Sequence, residues 1–256
     1  MRLAARLALA LALITTTGAA SGAVRRLHFE PDDLDLEQPG ILDLDFQAGP
    51  LHGDSAGKGR LLLPDFEIGL GLTHNVELDV SGAFSIDQNR GEPHQLSSDP
   101  LWVAAKLGLF DEIDELGNSW ALGVELGPRF PVVDAAGVGF GALGLLGFTH
   151  RRLTLVLNGG ALIDPGPTRS AQHPTGIVLG LDLNQDLDAK GVWSVQSEVG
   201  TAYYLTSNPH ELSFTFGATY SVTPRLDLSL TALGGFLPNT DHAGILLGVS
   251  PELDLW

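Results

Sequence analysis

Residues 61–81 read LLLPDFEIGLGLTHNVELDVS, and their spacing decides the fold. Leu62, Pro64, Phe66, Ile68, Leu70 and Leu72 share one parity, while Asp65, Glu67, Gly69 and Gly71 share the other. Beyond a tight turn at Thr73 to Asn75, Val76, Leu78 and Val80 resume the apolar side opposite Glu77, Asp79 and Ser81. A period of two is that of a strand with one oily face, and two such runs across a tight turn make a hairpin.

Working outward, the same period predicts strands at Ile41 to Gly49, Leu61 to Leu72, Val76 to Ser85, Leu101 to Phe110, Ser119 to Phe130, Gly139 to Thr149, Arg152 to Ala161, Gly176 to Gln185, Val192 to Tyr203, Glu211 to Tyr220, Arg225 to Gly234 and Gly244 to Trp256. Gly139 to Thr149 is apolar on both faces, and the final run is interrupted by Pro251. Every second connection is compact: Thr73 to Asn75, Asp111 to Asn118, His150 and Arg151, Asp186 to Gly191, and Ser221 to Pro224. The connections between them are mostly longer and richer in Pro, Gly, Asn and His. Short turns on one side and long loops on the other are the mark of an outer-membrane barrel. The expected fold is all-β, an antiparallel transmembrane β-barrel of about twelve strands over residues 41–256, with both of its ends on the periplasmic side.

Alternation alone does not separate a barrel in lipid from a soluble one. The faces do. Sorted by parity, the polar side holds Asp43, Asp45, Asp65, Glu67, Glu77, Asp79, Lys106, Glu125, Arg129, Asp182, Glu198, Asp227, Glu252 and Asp254, and the apolar side holds no charge. A basic side chain at the midplane of a lipid-facing barrel wall costs about 2–4 kcal/mol, so such a wall sheds charge. Trp120, Phe130, Trp193, Tyr203 and Tyr220 fall on the apolar parity near strand ends, where an aromatic girdle sits.

Composition agrees. Charged residues are 18% of the 256, below the roughly 25% of an ordinary soluble domain. The absence of cysteine excludes disulfides, thiol nucleophiles and thiolate metal sites. A net charge of −17 excludes an electrostatic grip on nucleic acid. Residues 1–23 place Arg2 and Arg6 before an apolar run, Leu7 to Ile14, and then small residues, the order of an export signal peptide. Residues 24–40 are acidic and aperiodic with two prolines, expected as an extended periplasmic arm or a plug in the lumen.

The blocks LPDFEIGLGLTHNVELDVSG, GIVLGLDLNQDL, WSVQSEVGTAYYL and HELSFTFGATYSVTPRLDLSLTALGGF, with the last strand ILLGVSPELDLW, resemble the outer-membrane transporters associated with meta-pathway phenol degradation. The resemblance spans about Leu61 to Trp256 and carries no catalytic signature. It implies a non-enzymatic channel admitting small organic, including aromatic, molecules by passive diffusion. Trp256 departs from the pattern, since Leu255, Leu253 and Val249 lie on the other parity; either a bulge near Pro251 corrects the phase or the terminal assembly signal is atypical.

Closure brings the first and last strands together, so Asp43 and Asp45 would meet Glu252 and Asp254. With Asp65, Glu67, Glu77, Asp79 and Asp227 they form an acidic lumen patch, against lumen bases Lys106 and Arg129. Such a mouth would favour cations or neutral solutes. The expected partners are a small-molecule solute and outer-membrane lipid, with no cofactor. Two other classes fit the alternation: a soluble periplasmic β-barrel that binds a ligand, and an outer-membrane barrel hydrolase.

Three strings are coincidences of spacing. Gly53 to Gly57 lacks the strand-to-helix turn of a nucleophile elbow. Gly139, Gly141 and Gly144 lie inside a strand that no helix follows. Asp182, Asn184, Asp186 and Asp188 lack the glycine and glutamate of a calcium loop. His52, His94, His173, His210 and His242 fall in predicted outer loops and are read as solvated loop residues rather than metal ligands.

Overall fold

The computed structural model describes residues 36–53, 59–88, 95–113, 118–132, 135–167, 173–205, 210–237 and 241–256. Its strands in chain order are β1 (Ile41–His52), β2 (Gly59–Thr73), β3 (Val76–Asp87), β4 (Gln95–Ser98), β5 (Leu101–Ile113), β6 (Asn118–Phe130), β7 (Ala135–Ala136), β8 (Gly139–His150), β9 (Leu153–Ile163), β10 (Gly166–Pro167), β11 (Thr175–Asp186), β12 (Trp193–Tyr204), β13 (His210–Thr223), β14 (Leu226–Gly235) and β15 (Ala243–Asp254). The signal-peptide reading lies outside the described residues.

Twelve of these, all but β4, β7 and β10, form a meander of antiparallel neighbours that closes on itself. The seam is β1 against β15, in register from Ile41 opposite Asp254 to His52 opposite Ala243. Closure pairs both sides of every strand and leaves no edge, which is what allows a sheet to stand in hydrocarbon. The short strand β4 doubles back onto the far end of β3, and β7 pairs with β10 as a separate two-stranded ribbon.

The compact connections gather at one rim with the start of β1 and the end of β15, and the long ones gather at the other. At the short-turn rim, two-residue links join β2 to β3, β8 to β9 and β13 to β14. The turn after β8 needs a left-handed residue, and Arg151 takes it at φ 58°.

Alternation along each strand sends charge inward and hydrocarbon outward. Leu126, Leu146, Leu157, Leu181, Val199, Phe216, Leu230 and Leu247 are exposed on the outside, while Asp79, Lys106, Glu125, Asp182, Glu198 and Asp227 are buried inside. Trp120, Phe130, Trp193, Tyr203 and Tyr220 are all outward and exposed. Trp120 packs on Phe148 and Trp193 on Tyr220.

Two expectations need correction. Leu62 does not share the outward phase of Phe66. The register slips between Leu62 and Asp65 against β3, so Leu62 turns into the barrel at 2% exposure and Leu63 faces out at 52%. A bulge reverses the phase beyond it, and parity counted through it fails. Near Pro251 the opposite holds: β15 stays in register with β14 from Leu226 opposite Pro251 upward, so no bulge restores the phase of Trp256. Leu253 and Leu255 keep the outward alternation, and Trp256 stands exposed past the end of β15.

Candidate functional site: the lumen

Every acidic residue expected to line the lumen is on the inward parity. Asp43 lies opposite Glu252 across the seam, and Asp45 opposite Glu67. Asp65 faces Gln47, Asp79 faces Gly69, and Asp227 faces Ser250. The patch therefore climbs from the short-turn rim well into the barrel. Asp254, at the rim itself, is ion-paired with Arg225, which offsets its charge.

The two basic residues expected in the lumen do different work. Lys106, 2% exposed, lies between Glu77 on β3 and Glu125 on β6 as the cross-strand neighbour of both. Opposite charges directly across a ladder attract, and an ammonium flanked by two carboxylates tolerates burial far better than one alone. Arg129 sits nearer the long-loop mouth, where its Nε donates to Asp164 Oδ1 at 2.7 Å and its guanidinium lies 5.6 Å from the centre of the Trp102 ring.

Asp164 is the first residue after β9, and the connection turns inward there, leaving Asp164, Pro165 and Gly166 buried. Tyr204 Oη, at the end of β12, donates to the other Asp164 oxygen at 3.0 Å. One carboxylate thus ties together β6, the end of β9 and β12. The His173 ring holds the same segment, its Nδ1 accepting from Gly166 N at 3.1 Å. Trp102, Ala104, Leu143, Leu162 and Val178, with Tyr204 against them, form an apolar cluster under this tie. Gly141 is opposite the indole, and a Cβ there would sit 3.0 Å from its ring carbons. A second inward cluster joins Leu51, Leu62, Ala83 and Leu246. The lumen is therefore two-toned, acidic toward the short-turn rim and apolar toward the long loops.

Trp102, Tyr204 and Asp164 were not among the expected site residues. Trp102 shares its parity with Lys106, and Tyr204 with Glu198, so the signal for both was in the alternation. Asp164 stands in a loop, where parity says nothing.

The last residues of the 24–40 segment meet the short-turn mouth from within. Glu37 N donates to Glu77 Oε2, and Gly40 N to Gly71 O at 2.9 Å. Leu36 lies over Gly108 and Gln38 over Gly71, two inward positions where a Cβ would collide, at 2.7 Å and 2.2 Å respectively. Residues 24–35 lie outside the described residues.

Of the loop histidines, His210 stacks on Tyr203 and His242 reaches Leu237 O; His94 is outside the described residues. Among the described residues no three His, Asp or Glu side chains converge as metal ligands.

No family profile and no curated protein matches the chain. Among solved structures, an outer membrane channel from Pseudomonas putida F1 superposes with a TM-score of 0.61 at 12% identity, over 88% of this chain and 100% of that one. The NanC porin superposes with a TM-score of 0.57 at 8% identity, over 81% and 97%. The chain has the fold of the outer-membrane β-barrels, closed and antiparallel, with twelve strands.

Proposed function

We propose that this barrel is an outer-membrane channel that passes small uncharged or cationic molecules by passive diffusion, with the short-turn rim toward the periplasm. The sorting of side chains carries the reading: the outer wall exposes leucine, valine and phenylalanine, and the strands' charge is inside apart from Glu112, which lies opposite the outward Trp120 close to the short-turn rim. Water does not support an apolar surface of that extent on a monomer, whereas acyl chains do. The likeness to a channel and a porin in fold supports the same reading.

The two-toned lumen favours a class of solute. Carboxylates near the short-turn rim repel anions, and the wall of Trp102, Leu143, Leu162, Val178 and Tyr204 suits an apolar or aromatic body. This fits the small aromatic molecules implied by the resemblance to phenol-pathway transporters. Planar-bilayer recording with purified protein tests the reading. Discrete conductance steps with a reversal potential of cationic sign across a salt gradient are expected, and anion preference or an intact bilayer without current would overturn it. Recovery of the protein in a soluble periplasmic extract would favour the ligand-binding alternative.

A further inference from the structure

Alternation leaves a single formal charge on the outside of the ring. Among the described residues of the twelve ring strands, the outward parity carries one carboxylate, Glu112 on β5, and no lysine or arginine. The register of β5 against β6 slips between Gly108 and Phe110, and this bulge is what brings Glu112 outward, directly opposite Trp120. A charge on a lipid-facing wall costs least near the interface, and there it can meet the charges of lipid headgroups.

The neighbours of Glu112 form one outward row. Phe148 lies opposite Trp120 and Leu155 opposite Phe148, and the Trp120 and Phe148 rings are 4.5 Å apart. One residue past His150, at the foot of β8, the two-residue link to β9 begins with Arg151, which is exposed. Neither Glu112 nor Arg151 has an ion-pair partner among the described residues. β5 and β8 are two strand spacings apart, roughly 10 Å. The outer rim therefore carries an acid, an aromatic pair and a base side by side, with Phe110, Leu122, Leu146 and Leu157 exposed in the next outward row.

This order matches a zwitterionic amphiphile. A purely anionic headgroup would be drawn by Arg151 and repelled by Glu112. A headgroup with both signs satisfies the two together: its ammonium donates to the Glu112 carboxylate beside the Trp120 ring, and its phosphate accepts from the Arg151 guanidinium. The leucine row then receives the acyl chains.

We propose that Glu112, Trp120 and Arg151 form a docking site on the outer wall for a phospholipid whose headgroup carries a primary ammonium, in the leaflet at the short-turn rim. The site rests on the outer wall standing in lipid, and not on conduction.

Thermal unfolding of the full barrel is followed in dodecyl maltoside micelles doped at equal mole fraction with phosphatidylethanolamine or with phosphatidylglycerol, which keeps the phosphate and lacks the ammonium. A ligand that binds the folded state raises its midpoint. The wild type is expected to unfold at a higher temperature with the ethanolamine lipid, and Glu112→Gln should abolish the difference. Arg151→Gln, which leaves an L side chain at the left-handed turn position, should lower the midpoint in both lipids. Equal wild-type midpoints in the two lipids, or a preference that survives Glu112→Gln, would overturn the site. If Glu112→Gln does not fold, as judged by heat-modifiable migration, Trp120→Leu carries the test and should narrow the same difference. The channel reading fails separately: a barrel that never conducts would leave the lipid preference standing, whereas recovery in a soluble extract would remove the lipid-facing wall and the site together.

Discussion

Arg129 and Asp164 form a buried charge pair, so removing either side chain takes an opposite charge away from a group that stays buried. Breaking such a pair from one side costs about 3–5 kcal/mol, most of it the stranded partner. Arg129→Met should therefore destabilise the barrel by that amount in urea titration of detergent-solubilised protein, while Asp164→Asn combined with Arg129→Met should recover part of it. Tyr204→Phe removes one hydrogen bond to a charged acceptor and should cost less, about 1.5–3 kcal/mol. Outside the membrane span, Asp188 gives a pH-dependent case. Its carboxylate accepts from the backbone of Lys190 and then of Trp193, which holds its pKa below the usual carboxylate value. The turn keeps that support above the unfolded carboxylate pKa and loses it as pH falls through the depressed folded value. Hydrogen exchange at the Lys190 and Trp193 amides should show protection lost on acidification, and Asp188→Asn should flatten the dependence.

At the scale of the strand, glycine marks where walls and side chains come closest. A Cβ at Gly160 on β9 would sit 1.9 Å from the Ala142 carbonyl oxygen, a backbone atom that cannot step aside, whereas at Gly144 on β8 the nearest atom is 3.7 Å away. Gly160→Ala should fail to give the compact, heat-modifiable species on a gel, and Gly144→Ala should give it in wild-type yield. The strands themselves were legible in the sequence because a wall with oil on one side and water on the other writes its period into every second residue. All twelve predicted strands match ring strands, with ends displaced by up to three residues. Legibility stopped where that rule stops. Leu62 was misplaced because the bulge at Leu63 and Pro64 inserts one residue into the count, and the Asp164 tie was invisible because a loop has no period. Trp102 and Tyr204 share the inward parity of Lys106 and Glu198, but a lumen picked out by its charges passes over uncharged aromatic residues.

The whole molecule makes a claim that no single strand can, namely that its outside is wetted by lipid. Leu230, outward on β14 and 53% exposed, tests it directly. In lipid, Leu230→Arg should cost about 2–4 kcal/mol if the position lies near the bilayer midplane, read from denaturant titration of barrels folded into vesicles. A cost near zero would mean that the outer wall meets water instead. The arm at the short-turn mouth makes a second claim at this scale. Because Leu36, Glu37 and Gln38 occupy the inner wall there, deletion of residues 24–38 should raise the single-channel conductance, and an unchanged value would place the arm out of the conducting path.

The seam has its own consequence for how the protein comes into being. The ring is completed by pairing its first strand with its twelfth, Ile41 against Asp254, so its closing contact is the one of longest sequence separation in the barrel. Ribosomal synthesis delivers β15 last, and until then β1 presents bare amides and carbonyls to anything nearby. Pairing across such sequence separation is slow and prone to aggregation. A nascent chain of this design has to be escorted in an unfolded condition, and any premature stop before β15 would yield an open, sticky sheet instead of a smaller pore.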